Sequence, residues 1–218
     1  MTGTAARPTM SPAARRAVAY EGVTIGYNIL EGVVAVTAGL VAGSVALTGF
    51  GVDSGIEVAA AVVVLVRLLA EVRGHGVDER KEGLALRFIA LTFFALAAYV
   101  LVEGTRDLVT GATPDTSPVG IGLTAASIVV MPWLARAKRR AGVQLGSRLV
   151  IADAAETRLC AWLSVSTFLG LLGFAASGAT WIDSVAGFVI AYFAVREGRE
   201  AWSGEIACED DDDDCDDD

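Results

Sequence analysis

The chain has 218 residues, 54% of them hydrophobic, and its mean hydropathy of +0.54 is higher than that of an ordinary soluble domain. Ten acids between Glu205 and Asp218 account for the formal charge of −9, because the remaining 16 acids face 17 Lys and Arg residues. The composition therefore excludes an ordinary soluble domain and predicts no basic surface for nucleic acid.

The apolar residues fall into six blocks close to 20 residues long, the length that crosses a hydrocarbon core of roughly 30 Å. Alternation with period 2 is absent, so the pattern favours helices over strands. We therefore predict an all-α polytopic membrane protein with six transmembrane helices. The predicted spans are Tyr20–Gly39, Ser44–Leu69, Leu84–Glu103, Val119–Ala135, Arg148–Ala175 and Trp181–Val195.

The blocks divide the chain into a polar N-terminal segment at 1–19, a six-helix transmembrane domain at 20–202 and an acidic tail at 203–218. The first block contains Asn28 and Glu31 and has no clear cleavage site, so we interpret it as a retained span and not a signal peptide.

The tail is nearly all Asp, and a run of like charges repels itself and buries no surface, so we expect disorder. A solvated tail is the simpler interpretation. Cys208 and Cys215 leave open a second one, a weak cytoplasmic metal collector. Three cysteines without regular spacing do not form a disulfide framework.

Basic residues alternate along the chain between the two sides of the membrane. The N-terminus, the loops after spans two and four and the C-terminal flank are rich in Lys and Arg, whereas the other three loops contain only Arg106. By the positive-inside rule both termini are cytoplasmic. We expect an integral protein of a bacterial-type cytoplasmic (inner) membrane.

Several polar side chains fall inside these spans, where a charge costs roughly 2.5–3.5 kcal/mol on insertion scales. Such residues are retained when they face a partner, a cavity or an ion. They are Asn28 and Glu31 in span one, Asp53 and Glu57 in span two, and Asp153, Glu156 and Cys160 in span five.

Two of these pairs share the spacing i, i+4, which places both side chains on one helix face about 6 Å apart along the axis. Asp53 and Glu57 form the first pair, and Glu156 and Cys160 form the second. At 1.5 Å per residue, antiparallel spans two and five bring the pairs to matching depths, roughly 12–19 Å from their own ends. Four ligands in two adjoining layers predict a tetrahedral site, which suits Zn²⁺ or a similar divalent ion.

Other interpretations of the same residues stay open at this point. Intramembrane acids can relay protons or pair with Arg158 as a buried ion pair, and a lone Cys in a span is usually a small apolar residue. Glu31 is level with the predicted site. Glu31, Asn28 and Asp153 are each a possible additional ligand or proton carrier, or else Asn28 and Glu31 hydrogen-bond to neighbouring helices.

Nothing in the chain predicts an enzyme. The sequence has no P-loop, no GxGxxG motif after a strand, no His-rich zinc motif and no nucleophile with an adjacent base. The lone His75 lies between Gly74 and Gly76, which favours a solvated loop histidine over a role in metal pick-up.

These motifs resemble the cation diffusion facilitator (cation efflux) family from span one to span six. The run Ala42–Leu47 followed by Asp53–Glu57 is similar to the family's Gly-Ser-x-Ala-Leu segment and its acidic i, i+4 pair. Asp153–Cys160 lies where the family has its second ligand pair, and Trp181–Gly187 resembles the family's Trp-x-Asp-Pro-x-Ala start of the last span.

The resemblance implies a divalent-metal exporter that exchanges its ion for protons by alternating access, with suggested homodimerisation. It also implies a short branch without the family's C-terminal cytoplasmic domain, because the chain ends soon after Trp202. The family usually has His or Asp and then Asp in span five. Here Glu156 and Cys160 replace them, and the thiol favours Zn²⁺, with Fe²⁺, Mn²⁺ and Co²⁺ as alternatives.

Two rival functions remain open from the sequence. The first is a membrane protein that binds or senses a metal without moving it. The second is a proton-coupled exporter of small organic cations that uses Glu31 and Asp53 alone.

Overall fold

The structure is a computed structural model that describes residues 11–72, 79–111, 115–179 and 181–203. These residues form six α-helices and, within the ranges just given, no strand. In chain order the helices are α1 (Pro12–Ala42), α2 (Val45–Val72), α3 (Glu79–Thr110), α4 (Pro118–Leu145), α5 (Arg148–Ser177) and α6 (Trp181–Ser203).

The six predicted spans are confirmed as helices, and most are longer than predicted. Residues 12–19, assigned above to the polar N-terminal segment, belong to α1, and α4 continues ten residues past Ala135. The polar flanks extend the helices because local capping, not hydropathy, sets the ends. The hydroxyls of Ser11, Ser117 and Ser147 each accept a bond from a first-turn backbone N–H.

Four of the helices are long and apolar enough to cross a membrane: α1, α4, α5 and the part of α3 from Leu86 to Thr110. The other two helices carry charged residues of their own. Helix α2 carries Asp53 and Glu57 in its first half, and α6 is the shortest helix, with Arg196, Glu197, Arg199 and Glu200 in its last turns.

Helices α1, α2, α5 and α4 pack as a ring, each against the next, and α4 closes the ring on α1. Helices α3 and α6 pair with each other and pack on the side formed by α2 and α5. The outer faces carry exposed apolar side chains, as lipid contact requires, for example Leu30, Val129 and Leu169. The polar side chains are therefore enclosed by the four-helix ring.

Small residues let α1 and α2 approach closely on one side of this ring. A Cβ on Gly51 would lie 2.6 Å from the backbone nitrogen of Val36 and 2.9 Å from the Cβ of Ala35. A Cβ on Gly39 would lie 2.6 Å from the backbone nitrogen of Thr48. These contacts bring the polar face of α1 next to the acids of α2.

Gly51→Ala is expected to destabilise the protein by about 1–3 kcal/mol, because the added methyl overlaps backbone atoms that cannot move aside easily. Gly55→Ala is the matched control on the same helix, since nothing lies within 4 Å of its Cβ position. Thermal unfolding of the detergent-purified protein, followed by tryptophan fluorescence, measures both variants. If Gly51→Ala and Gly55→Ala both melt at or above the wild-type melting temperature, α1 and α2 are not packed this closely.

Candidate metal site

The polar residues predicted from the sequence all lie inside the four-helix ring. Each of them is at most 1% exposed, which is unusual for acids, because a buried carboxylate is costly without a hydrogen bond or an opposite charge. The set comprises Asn28, Glu31, Asp53, Glu57, Asp153, Glu156 and Cys160.

The i, i+4 pairs of α2 and α5 face each other across the ring, where these two helices are in direct contact. Glu156 is close enough to Asp53 and Glu57 for their charges to repel it. Cys160 interacts in the same way with Asp53, Glu57 and Glu31. The two pairs therefore lie on the sides of α2 and α5 that face the ring interior.

Asp53 and Glu156 are the acids with unused binding capacity. Both carboxylate oxygens of each are buried and accept no hydrogen bond from any residue that the structure describes. Buried polar groups are rarely left in that state, because each lost hydrogen bond costs about 1–3 kcal/mol. Oxygens of this kind are suited to receive a cation.

Glu31 of α1 touches each of the other three helices of the ring. Its Oε2 accepts a hydrogen bond from Ser54 Oγ of α2 at 2.9 Å, and its Oε1 accepts one from Ser127 Oγ of α4. Cys160 Sγ of α5 lies 3.9 Å from Oε2. The interhelical hydrogen bonding considered for Glu31 is therefore present, and Glu31 also borders the space between the two pairs.

Asn28 contributes less to this space than Glu31. Its Nδ2 donates to the backbone oxygen of Thr24, one turn earlier on the same helix, at 3.1 Å. Its Oδ1 is buried and has no hydrogen-bond partner among the described residues. Asn28 therefore forms no hydrogen bond to a neighbouring helix within that part of the chain.

Arg158 does not neutralise the two i, i+4 pairs, and Asp153 does not add a further ligand to them. Arg158 pairs with Glu197 of α6 at 3.4 Å and is half-exposed, so the buried ion pair considered between Arg158 and the intramembrane acids does not form. Asp153 pairs instead with Lys138 of α4, closer to the turn between α4 and α5.

Sequence reasoning missed two buried charges, Lys138 and Glu21. Lys138 falls in the basic loop predicted after span four, and Glu21 falls at the start of the predicted span one. A helical stripe could have revealed both. Glu21, Thr24, Asn28, Glu31 and Ala35 recur at spacings of three and four on the buried face of α1, as do Ser127, Met131, Leu134, Lys138 and Ala141 on α4.

The structure brings ligand-type side chains into one region but does not place them around one point. Across the described ranges, no three His, Cys, Asp or Glu side chains already stand in metal-binding positions. Asp53, Glu57, Glu156 and Cys160 do not meet at one point in this structure. His75, Cys208 and Cys215 lie outside the described residues.

A ring of long, largely apolar helices around buried carboxylates indicates a polytopic membrane protein. The chain belongs to the cation efflux family, because residues 23–203 match the cation efflux transmembrane domain. This match confirms the family resemblance and covers all the predicted site residues.

Curated relatives agree with this assignment. The chain is 28% identical over 176 residues to the uncharacterized transporter MJ0449 of Methanocaldococcus jannaschii, covering 78% of this chain and 61% of that protein. It is 26% identical over 185 residues to the magnetosome protein MamB of a Magnetospira species, covering 82% and 61%. It is 24% identical over 173 residues to the manganese efflux system protein MneS of Bacillus subtilis, covering 77% and 59%.

The chain spans about three fifths of the length of the curated relatives that it matches. The similarity therefore concerns the transmembrane domain, which is the part that contains the buried carboxylates and the thiol.

A metal ion that binds between the two pairs is expected to raise the melting temperature of the protein. Binding to the folded state alone stabilises it by about 2.7 kcal/mol at a hundredfold excess over Kd. Thermal unfolding with and without ZnCl₂ measures the shift in wild type, Asp53→Asn and Glu156→Gln. Glu103→Gln on α3, which pairs with the exposed Arg106, is the control and should retain the wild-type shift. Equal shifts in all four proteins would place zinc binding outside the ring.

Proposed function

We propose that this protein is a divalent metal cation transporter whose ion binds between α2 and α5. The observation that carries the proposal is the pair of facing, buried i, i+4 motifs, in which Asp53 and Glu156 have no hydrogen-bond partner among the described residues. The proposed ligands are Asp53, Glu57, Glu156 and Cys160.

The charge of this space supports a cation as cargo. Three carboxylates and a thiol enclosed by apolar helices repel one another when they are ionised, and the single buried ammonium nearby in the described chain, Lys138, offsets only part of that charge. A divalent ion offsets two of those charges and replaces the missing hydrogen bonds with coordinate bonds. An uncharged solute would leave the repulsion in place.

The ligand types favour Zn²⁺ as the first ion to test. Thiolate sulfur prefers Zn²⁺ over Mg²⁺ or Ca²⁺, whereas carboxylates also accept Mn²⁺, Fe²⁺ and Co²⁺. The printed name of MneS, a manganese efflux protein, supports Mn²⁺ as the second ion. Cys160 is the residue on which this choice depends.

Proton exchange follows from the same ligands. Carboxylates and thiols bind metal only when they are deprotonated, so metal and protons compete for one site. A site that loads metal when it faces the cytosol and takes up protons when it faces outward would export the ion. Glu31 borders this site and hydrogen-bonds to α2 and α4, so it is the candidate for a further ligand or a proton carrier.

The orientation is part of the proposal. The basic residues Arg136, Arg139, Arg140 and Arg148 lie around the turn between α4 and α5, and the positive-inside rule puts that turn in the cytosol. Both ends of the transmembrane domain then face the cytosol as well, and export runs from the turn towards the opposite end of the ring.

Zinc flux into proteoliposomes under an imposed pH gradient tests the proposal. Wild type should carry gradient-dependent flux, and Asp53→Ala and Cys160→Ala should fall to the level of empty liposomes, because each removes one of four ligands. Ser166→Ala is the matched control on α5, since its hydroxyl bonds to Ala186 of α6 and faces away from the site.

Folded wild-type protein that carries none of Zn²⁺, Co²⁺, Mn²⁺ and Fe²⁺ would refute metal transport. The binding-only function and the organic-cation function would then be the ones to test. Metal flux without dependence on the pH gradient would refute proton exchange alone.

Cys160→Asp is expected to move the preference from Zn²⁺ towards Mn²⁺, because a hard oxygen ligand replaces the soft sulfur. The ratio of Zn²⁺ to Mn²⁺ flux, measured in competition in the same proteoliposomes, should fall by about tenfold or more if the thiolate is a ligand. An unchanged ratio in an active variant would show that Cys160 does not contact the ion.

A further inference from the structure

Lys138 of α4 is the centre of a second buried charge cluster. Its Nζ lies 3.2 Å from Glu21 Oε2 of α1 and is also paired with Asp153 Oδ2 of α5. All three side chains are completely buried. Among the described residues, Lys138 is the one basic side chain in the buried class. Three of the four ring helices therefore meet at a single ammonium.

The cluster lies between the α4–α5 turn and the candidate metal site. Lys138 is seven residues before the end of α4 at Leu145, and Asp153 is five residues after the start of α5 at Arg148. At 1.5 Å per residue these positions are roughly 8–10 Å from the turn, whereas Cys160 is roughly 18 Å from it. Along the helix axes the ammonium therefore lies between this turn and the site.

A hydrogen-bonded link connects the ammonium to the site itself. Lys138 Nζ donates to Thr157 Oγ1 at 3.1 Å, and Thr157 Oγ1 donates to Glu57 Oε1 at 2.6 Å. Because a threonine hydroxyl has one proton, its donation to Glu57 leaves its lone pairs for Lys138. The position of Lys138 therefore fixes the orientation of a donor to one of the proposed ligands.

The opposite end of the ring is closed by different chemistry. A Cβ on Gly120 of α4 would lie 2.5 Å from Leu47 Cδ2 of α2 and 3.1 Å from Leu171 Cδ1 of α5. The hydroxyl of Ser117 also lies there, so that end is packed with leucine side chains and hydroxyl groups. The end near the α4–α5 turn is closed by the Lys138 ion cluster, and a passing cation can compete with the ammonium for its carboxylates.

Stability alone is a poor explanation for this cluster. Removing charges from water costs several kcal/mol per ion, and apolar replacements of a buried ion pair are often as stable or more stable. A buried ammonium on the path of a cation has a clearer use, because it neutralises the acids while the path is closed.

We propose that Lys138 is the inner gate of the transport path. It is a tethered cation that closes the ring between the α4–α5 turn and the metal site by pairing with Glu21 and Asp153. Opening requires the ammonium to leave Glu21 and Thr157, which separates α1 from α4 and releases the donor to Glu57. Lys138 is thus a positioning residue. The inference rests on the proposed function for the identity of the cargo, but its test does not.

Cys160 is a native reporter of this gate, because it is buried beyond the cluster as seen from the turn. The full chain with Cys208→Ser and Cys215→Ser has Cys160 as its single thiol. Its rate of modification by methanethiosulfonate ethylammonium is measured in detergent. Lys138→Gln should raise that rate by about tenfold or more, because opening exposes buried groups in proportion to the open population. Arg158→Gln, which breaks the half-exposed pair with Glu197, should leave the rate within about twofold.

An unchanged rate in folded Lys138→Gln would overturn the gate. Glu21→Gln is the milder variant in case Lys138→Gln does not fold, because it keeps the side-chain shape and the pairing of Lys138 with Asp153. It should also speed modification, by less than Lys138→Gln. If Lys138→Gln does not fold, a wild-type rate of Cys160 modification in Glu21→Gln would overturn the gate.

Protection of Cys160 by ZnCl₂ separates this inference from the proposed function. Faster modification in Lys138→Gln without any protection by zinc supports the gate and contradicts the metal site. Protection of Cys160 in the single-thiol protein without faster modification in Lys138→Gln supports the metal site and overturns the gate.

Discussion

The cost of placing charge next to lipid is the constraint on which this structure depends. Among the side chains that the structure describes, six carboxyl groups in the helices are at most 1% exposed, and all lie on α1, α2 or α5, which face the ring interior. Lipid-facing positions are apolar instead. The four-helix ring encloses these acids. Helices α3 and α6 contribute none of the six and lie outside the ring. The six acids are Glu21, Glu31, Asp53, Glu57, Asp153 and Glu156.

The enclosed acids differ in their partners. Near the α4–α5 turn, Glu21 and Asp153 share the ammonium of Lys138. Further from that turn, Glu31 accepts hydrogen bonds from two serines. Asp53 and Glu156 have no hydrogen-bond partner within the described part of the chain. This difference separates groups that hold the helices together from groups that are free to bind cargo, and it underlies both the proposed transport site and the proposed gate.

Much of the site could be predicted because helical periodicity converts spacing into direction. The i, i+4 spacing predicted that each pair lies on one helix face, and in the structure both pairs are buried on helices that contact each other. That the four residues form one site stays a prediction. Lys138 could not be recognised in the same way, because its neighbours Arg139 and Arg140 satisfy the positive-inside rule equally well. The rule reports which side of the membrane a loop occupies. It does not report which of several adjacent cations points inward.

The sequence by itself determined the helix count, the class of protein and the family motifs, because hydropathy and spacing are local properties of the chain. It also identified the buried acids of spans two and five, whose cost in lipid is independent of their neighbours. Only the tertiary structure decided the partners: Arg158 pairs with Glu197, Asp153 with Lys138, and Glu31 with Ser54 and Ser127. Those pairings depend on which helices are adjacent and how closely their glycines let them approach, and no short stretch of sequence contains that information.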